Sequence, residues 1–214
     1  MSTFVDRQDA GQRLAEAVEK LGLADPVVLA LPRGGVPVAA ALAERLKAPL
    51  DVLLARKIGA PGEPEFAIGA VVDGAAPATV LHQDTIDRLA ISREYIDKEI
   101  ARQLAAIADR RRLYSGADAP FDLTGKDAVI VDDGIATGAT IEAAMKAVRQ
   151  SAARQIVLAV PVAPAKTIAR LRGVADQIVC LSAPRVFGAV GAHYADFRQV
   201  ADDQVKRLLR QARS

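Results

Sequence analysis

The sequence contains no tryptophan, only one cysteine and few aromatic residues of any kind, 4% in all. With Cys180 alone no internal disulfide can form, which excludes the small disulfide-stapled folds of secreted domains. The scarcity of rings leaves small aliphatic side chains to fill the core, and hydrophobic residues, at 51%, are abundant enough to do so. An excess of either charge is missing too. The 28 basic and 26 acidic residues give a formal charge of +2, so the overall balance demands neither a nucleic acid nor an anionic membrane as partner. No apolar run approaches the ~20 residues of a membrane helix. The start, MSTFVDRQDAG, has neither the basic flank nor the apolar stretch of a secretion signal. Together these absences predict a cytoplasmic protein in a reducing compartment. No internal repeat or low-complexity tract is present, which argues against solenoids and other repeat architectures.

The length, 214 residues, suits one substantial domain better than two. Within it, short apolar runs alternate with segments of helical period, the signature of βαβ units and a mostly parallel sheet. PVVLAL (26–31) leads into VPVAAALAERLK (36–47), where Val36, Ala39, Ala40, Ala43 and Leu46 share a helical face. LDVLLA (50–55) and FAIGAVV (66–72) follow, separated by KIGAPGEPE, whose Gly and Pro content reads as a loop. DAVIVDD (127–133) runs into ATIEAAMKAVRQS, and QIVLAVP (155–161), PAKTIARLR (164–172) and QIVCL (177–181) complete the alternation. Two helical regions stand outside this rhythm. Near the N-terminus Asp6 is placed to cap a helix bearing Leu14, Val18 and Leu21 on one face. The charged segment of about 83–116 offers Ser92 as a cap, a stripe of Ile96, Ile100, Leu104 and Ile107, and the basic end DRRRLYSG.

Residues 129–140 read VIVDDGIATGAT: a buried strand, two adjacent carboxylates, then small and hydroxylated residues opening a helix. In open α/β sheets ligands bind beyond the carboxyl ends of the strands. Two carboxylates at such an end carry a cost of desolvation and repulsion unless hydroxyl donors or a hydrated cation meet them. The small residues after them let backbone amides converge, with the helix N-terminus adding its dipole and Thr137 and Thr140 adding hydroxyls. That is a phosphate cradle beside a pair of acids suited to a diol, the chemistry of a phosphorylated ribose. The Walker A lysine is absent and no GxGxxG follows a strand, which weakens nucleoside triphosphate and dinucleotide readings.

This motif resembles the phosphoribosyl pyrophosphate (PRPP) motif of type I phosphoribosyltransferases, and the resemblance covers about residues 26–200. It implies an α/β fold with a mostly parallel central sheet flanked by helices. The domain, 1–214, would comprise a core of about 26–181, an inserted helical arm of about 83–116 and a hood of about 182–200. It implies Asp132 and Asp133 for the ribose 2- and 3-hydroxyls and Ala136, Thr137, Gly138, Ala139 and Thr140 for the 5-phosphate. LPRGGVPVA (31–39) looks like the family's pyrophosphate loop, which places Arg33, Gly34 and Gly35 at the leaving group; in many relatives this loop has a non-proline cis peptide. ARKIGAPGEPEFAIGAV (55–71) is similar to the stretch after the second strand of adenine phosphoribosyltransferases, bringing Lys57 to pyrophosphate as a point charge. PRGG, PEFAIGAV and VFGAVGAHYADF together are closest to a bacterial phosphoribosyltransferase-like group.

The resemblance further implies Mg2+, held through water by Asp132 and Asp133, with PRPP and a small-molecule acceptor as substrates in nucleotide metabolism. No nucleic acid or membrane is involved, and a homodimer is expected. In the hood, Phe187 is either an acceptor-stacking ring or, with Tyr194 and Phe197, local core; His193 reads as structural. The basic end of the arm, Arg110, Arg111, Arg112 and Tyr114, either closes over pyrophosphate or serves a dimer contact. The phosphate loop looks like the adenine type, with Ala136 where six-oxopurine enzymes carry an acid, whereas the hood resembles the six-oxopurine type. No base follows from these two signals. A PRPP-sensing regulator and a sugar-phosphate hydrolase on the same scaffold are the rival readings.

Overall fold

The structure is a computed structural model describing residues 3–74, 77–115 and 120–212, with Ser115 described in its backbone only. Asp6 opens α1 (Arg7–Glu19), accepting from the backbone N–H groups of Gln8 and Asp9 as a cap at this position does. Leu14 and Val18 are fully buried beneath it, and Leu21 packs against the same cluster. β1 (Pro26–Ala30), α2 (Gly35–Leu46) and β2 (Leu50–Val52) follow. Val36, Ala39 and Ala43 of α2 are buried, and Ala40 and Leu46 pack partly exposed against the core, as their spacing predicts.

The stretch 57–65 is not a loop. β3 (Ala55–Ala60) turns directly into β4 (Glu63–Val72), and β5 (Ala78–Leu81) completes a three-stranded antiparallel sheet. The glycines that read as punctuation serve the hairpin itself. Gly62 takes φ +75° at the turn, and Gly59 lies so close to Pro64 that a Cβ would sit 2.6 Å from the proline Cα. The register shifts on both sides of Gly59, which bends the strand. FAIGAVV therefore belongs to this second sheet and not to the parallel one. α3 (Gln83–Arg88) and α4 (Arg93–Ser115) come next. Ser92 Oγ accepts from the Tyr95 N–H at 3.2 Å. Ile96 and Ile107 are buried, with Ile100 and Leu104 packed partly exposed beside them.

β6 (Asp127–Val131), α5 (Ala139–Arg149), β7 (Gln155–Val162), α6 (Ala165–Leu171) and β8 (Gln177–Ser182) complete the alternation. The main sheet is parallel throughout, in the order β2-β1-β6-β7-β8. Chain order reverses at β1, which pairs with β2 on one side and β6 on the other, so a crevice opens beyond the carboxyl ends of β1 and β6. The loops at those ends are residues 31–34 and 132–138. A 3-10 turn (Val190–His193) and α7 (Asp202–Gln211) close the chain. Among the described residues no helix is long and apolar enough to cross a membrane.

Asp127, fully buried at the start of β6, anchors the opposite end of the sheet. It accepts from the N–H groups of Ala24 and Asp25 at 2.9 and 3.3 Å, and from the Arg154 and Gln155 side chains. Its hydrogen bond with Arg154, foremost, holds its pKa down at about 2. The folded value lies below the unfolded one, so the stabilisation is present above pH about 4 and is lost as pH falls toward about 2. Asp127→Ala is expected to cost about 2 kcal/mol at neutral pH by urea unfolding, since it removes one buried acceptor shared by several partly buried hydrogen bonds. The gap from wild type should narrow across that acid window.

Candidate active site

In the loop after β6 the carbonyls of Ala136 and Thr137 are fastened, while the amides from Ala136 to Thr140 are not. Thr167 Oγ1 donates to the Ala136 carbonyl at 3.0 Å, and Arg170 donates to the Thr137 carbonyl. Gly138 takes φ +77° ahead of α5, where a Cβ would meet Thr167 Cγ2 at 2.9 Å. Among the described residues, no backbone amide from Ala136 to Thr140 donates to a protein acceptor. Ala136, Thr137, Ala139 and Thr140 are exposed. Amides without acceptors at the start of an 11-residue helix form a receptor for an anion.

The two acids are held differently. Asp132 Oδ1 accepts from the Asp133 N–H at 2.8 Å. Burial first, and then the neighbouring Asp133 charge, push the Asp132 carboxyl well above the usual carboxylate range. Asp133 Oδ2 accepts from Arg7 Nε at 2.7 Å, and the Asp133 carbonyl accepts from the Tyr194 hydroxyl.

The loop after β1 lies directly against these acids. A Cβ on Gly34 would sit 2.0 Å from Asp133 Oδ2, and one on Gly35 2.8 Å from the Val131 carbonyl oxygen and 3.0 Å from Asp132 Cα. Only glycine permits that approach. The Pro32–Arg33 peptide is cis, the feature the family resemblance implies for this loop. A cavity of about 220 Å3 opens beside it, with Arg33, Arg56, Arg110, Tyr114 and Thr140 in its lining. Asp202, at the start of α7, accepts from Tyr114 at 2.6 Å and Arg110 at 3.1 Å, with Arg33 Nη1 at 3.9 Å. Burial, followed by the bond to Asp202, pushes the Tyr114 hydroxyl up to about 12. Larger concavities, of about 820 and 500 Å3, involve none of the residues 31–35 or 132–140.

Not every expected residue meets at this crevice. Neighbours on a strand face opposite ways. Arg56 accordingly lines the cavity, while Lys57 pairs with Glu65 across the hairpin. Of the basic end of α4, Arg110 and Tyr114 reach the cavity. Arg111 instead turns inward to Asp51 and Asp73, and Arg112 pairs with Asp109. Phe187 is half-buried, its ring 5.2 Å from that of His193, whose Nε2 lies 3.0 Å from the Phe187 carbonyl oxygen. Phe4, Tyr194 and Phe197 form a packed trio with centroids 5.3 and 5.0 Å apart. Arg7, Arg56, Tyr194 and Asp202 were not singled out from the sequence as site residues. Arg56 had a signal, since it stands beside Lys57; Arg7 lies 126 residues from Asp133 and had none.

Among the described residues no group of three or more His, Cys, Asp or Glu is arranged to hold a metal ion. The adjacent carboxylates of Asp132 and Asp133, both mostly buried, fit Mg2+ reached through water, since that ion takes few protein carboxylates and keeps water and phosphate oxygens around it.

A helix N-terminus with unpaired amides, an acid pair and a glycine-lined loop converge at the switch point of a parallel sheet, where α/β folds bind ligands. The chain belongs to the phosphoribosyl transferase domain family, which it matches over residues 6–196. It is 44% identical over 212 residues to Rv0571c of Mycobacterium tuberculosis H37Rv, a protein provisionally named a phosphoribosyl transferase, and equally to MT0597 of strain CDC 1551. These matches cover 99% of this chain and 47% of each relative, so the chain spans about half the length of the curated relatives it matches. The crystal structure of TT1426 from Thermus thermophilus is similar at 45% identity and a TM-score of 0.83, covering 99% of both chains.

Proposed function

We propose that this chain binds PRPP with Mg2+ and transfers its phosphoribosyl group to a nitrogenous base or related acceptor, releasing pyrophosphate. The observation that carries this reading is the run of amides without protein acceptors at 136–140, set beside Asp132 and Asp133 where chain order reverses. The five amides and the hydroxyls of Thr137 and Thr140 receive the 5-phosphate. Asp132 and Asp133 accept from the ribose hydroxyls. The backbone around Arg33, Gly34 and Gly35 receives pyrophosphate, and the cations of Arg33, Arg56 and Arg110 face the charge that grows there as the bond from C1 to the pyrophosphate oxygen breaks. The acceptor nitrogen forms the new bond to C1, and its proton passes to solvent or to the departing pyrophosphate.

Mg2+, when bound through Asp132 and Asp133, supplies charge neutralisation on the departing pyrophosphate oxygens. The leaving group is already good, so the protein's share is orientation, charge and exclusion of water. Lys57 would serve as a further pyrophosphate cation on leaving Glu65, and Phe187 as the acceptor's stacking ring on leaving His193.

Incubation with PRPP, Mg2+ and a panel of bases tests the assignment through pyrophosphate release. Release dependent on one acceptor supports transfer. Release with water alone indicates hydrolysis, and tight binding without turnover indicates a sensor. Asp133→Asn is expected to weaken PRPP binding about thirtyfold by calorimetry, because the neutral amide loses a charge-assisted acceptor. It should keep the fold, since its oxygen still accepts from Arg7.

A further inference from the structure

One side chain joins the N-terminal helix to the acid motif. Arg7 donates from Nε to Asp133 Oδ2 at 2.7 Å and from Nη1 to the Arg198 carbonyl at 2.8 Å, and its guanidinium lies 3.9 Å from the centre of the Phe197 ring. Both members of the ion pair are mostly buried, with 12% and 13% of their side chains exposed. The segment ahead of Arg7 is fastened to the same neighbourhood. Thr3 and Phe4 donate to the His193 carbonyl, Ala195 to the Phe4 carbonyl and Asp196 to the Val5 carbonyl, all at 2.8–2.9 Å. Tyr194, bridged to Phe4, donates to the Asp133 carbonyl. Asp133 is thus held at its side chain by Arg7 and at its backbone by Tyr194, and both holders belong to one connected unit, residues 3–7 with 193–198.

We propose that Arg7 is a positioning residue for the phosphoribosyl site: it fixes the Asp133 carboxylate against Gly34 and couples the segment 193–198 to the acid pair. This rests on the PRPP-binding reading above. A carboxylate offers about four lone-pair sites on two oxygens. Arg7 engages Oδ2, and the neighbouring Asp132 carboxyl is within side-chain hydrogen-bonding reach, so the remaining lone pairs are those a ribose hydroxyl would meet. The contact with Gly34 gives the orientation its consequence, because a carboxylate that swung away from Arg7 would also leave the loop after β1.

The test uses the full chain, PRPP with Mg2+ in a calorimeter, and the melting temperature without ligand. Arg7→Gln is expected to raise the PRPP dissociation constant about tenfold, since a mostly buried carboxylate loses its counter-charge. Arg7→Lys keeps the counter-charge but not the planar fork that also holds the Arg198 carbonyl and stacks on Phe197, so its loss should be smaller than that of Arg7→Gln, about threefold. Phe197→Leu removes the ring under the guanidinium and leaves the ion pair, so it should also stay within about threefold. Unchanged affinity in Arg7→Gln overturns the proposal, as does a Phe197→Leu loss equal to that of Arg7→Gln. Should Arg7→Gln fail to fold, Arg7→Lys decides: retained affinity supports the charge-based role, and a tenfold loss at unchanged melting temperature refutes it. Absence of PRPP binding by the wild-type chain removes the functional reading and this inference with it. Normal wild-type binding with an indifferent Arg7→Gln removes this inference alone.

Discussion

Gly34→Ala is expected to weaken PRPP binding at least about 100-fold, a loss of about 2.7 kcal/mol, while lowering the melting temperature by only a few degrees. The reason is a distance. An ideal Cβ at this position would lie 2.0 Å from Asp133 Oδ2, where real contacts do not occur, so the carboxylate or the loop has to move. If the carboxylate moves, it leaves Arg7 and its orientation toward the ribose is lost. If the loop moves, Arg33 and Gly35 shift with it and the cavity beside Thr140 changes shape. Either response spoils two subsites at once, and misplacements of this size are costly in sites that work by orientation. Gly173→Ala is the control, because its Cβ would meet nothing nearer than the Arg170 carbonyl oxygen at 3.8 Å. Calorimetry with PRPP and Mg2+ on both variants decides. Equal affinities for Gly34→Ala and wild type would mean that the loops after β1 and β6 do not share a ligand.

Local rules carried much of the fold. Asp6 caps α1, the stripe from Ile96 to Ile107 is the packed face of α4, and the apolar runs at 26–31, 127–133, 155–161 and 177–181 correspond to parallel strands. Each depends on a period or a cap decided within a few residues. The stretch 57–65 shows where such rules fail. Gly and Pro there mark a turn and a bulge inside a hairpin, and a glycine's sequence does not say whether it ends a strand or bends one. The acid motif was legible for a related reason, since strand, carboxylates and small residues are contiguous. Arg7 and Asp202 were not, because each enters its cluster from a distant element and neither has a neighbour that marks it out. Strand alternation did hold the information needed to separate Arg56 from Lys57, although it could not say which side faced the cavity.

Arg111 shows most sharply how a charge read as functional can be architectural, and its removal is expected to have the largest effect on stability. Its Nη1 donates to Asp51 Oδ2 at 3.0 Å, its Nε to Asp73 Oδ2 at 2.6 Å and its Nη2 to the Val52 carbonyl at 2.7 Å. Asp51 lies on β2 and Asp73 just beyond β4, so this one guanidinium ties α4 to both sheets. Asp51 and Asp73 are buried. Arg111→Met would leave the two carboxylates facing each other with the guanidinium gone. Breaking a buried pair by removing one partner costs about 3–5 kcal/mol. At this chain length that corresponds to a fall in melting temperature of about 10 °C. Burial already pushes the Asp73 carboxyl above its ordinary value, so its charged form costs stability above the folded pKa, and protonation relieves that cost as pH falls. The deficit of Arg111→Met should therefore shrink as pH falls below neutral. Arg112→Met, which removes an exposed side chain paired with Asp109, should change stability by less than about 0.5 kcal/mol. Urea unfolding of both variants at two pH values measures the difference, and equal losses would mean that Arg111 is as peripheral as its neighbour.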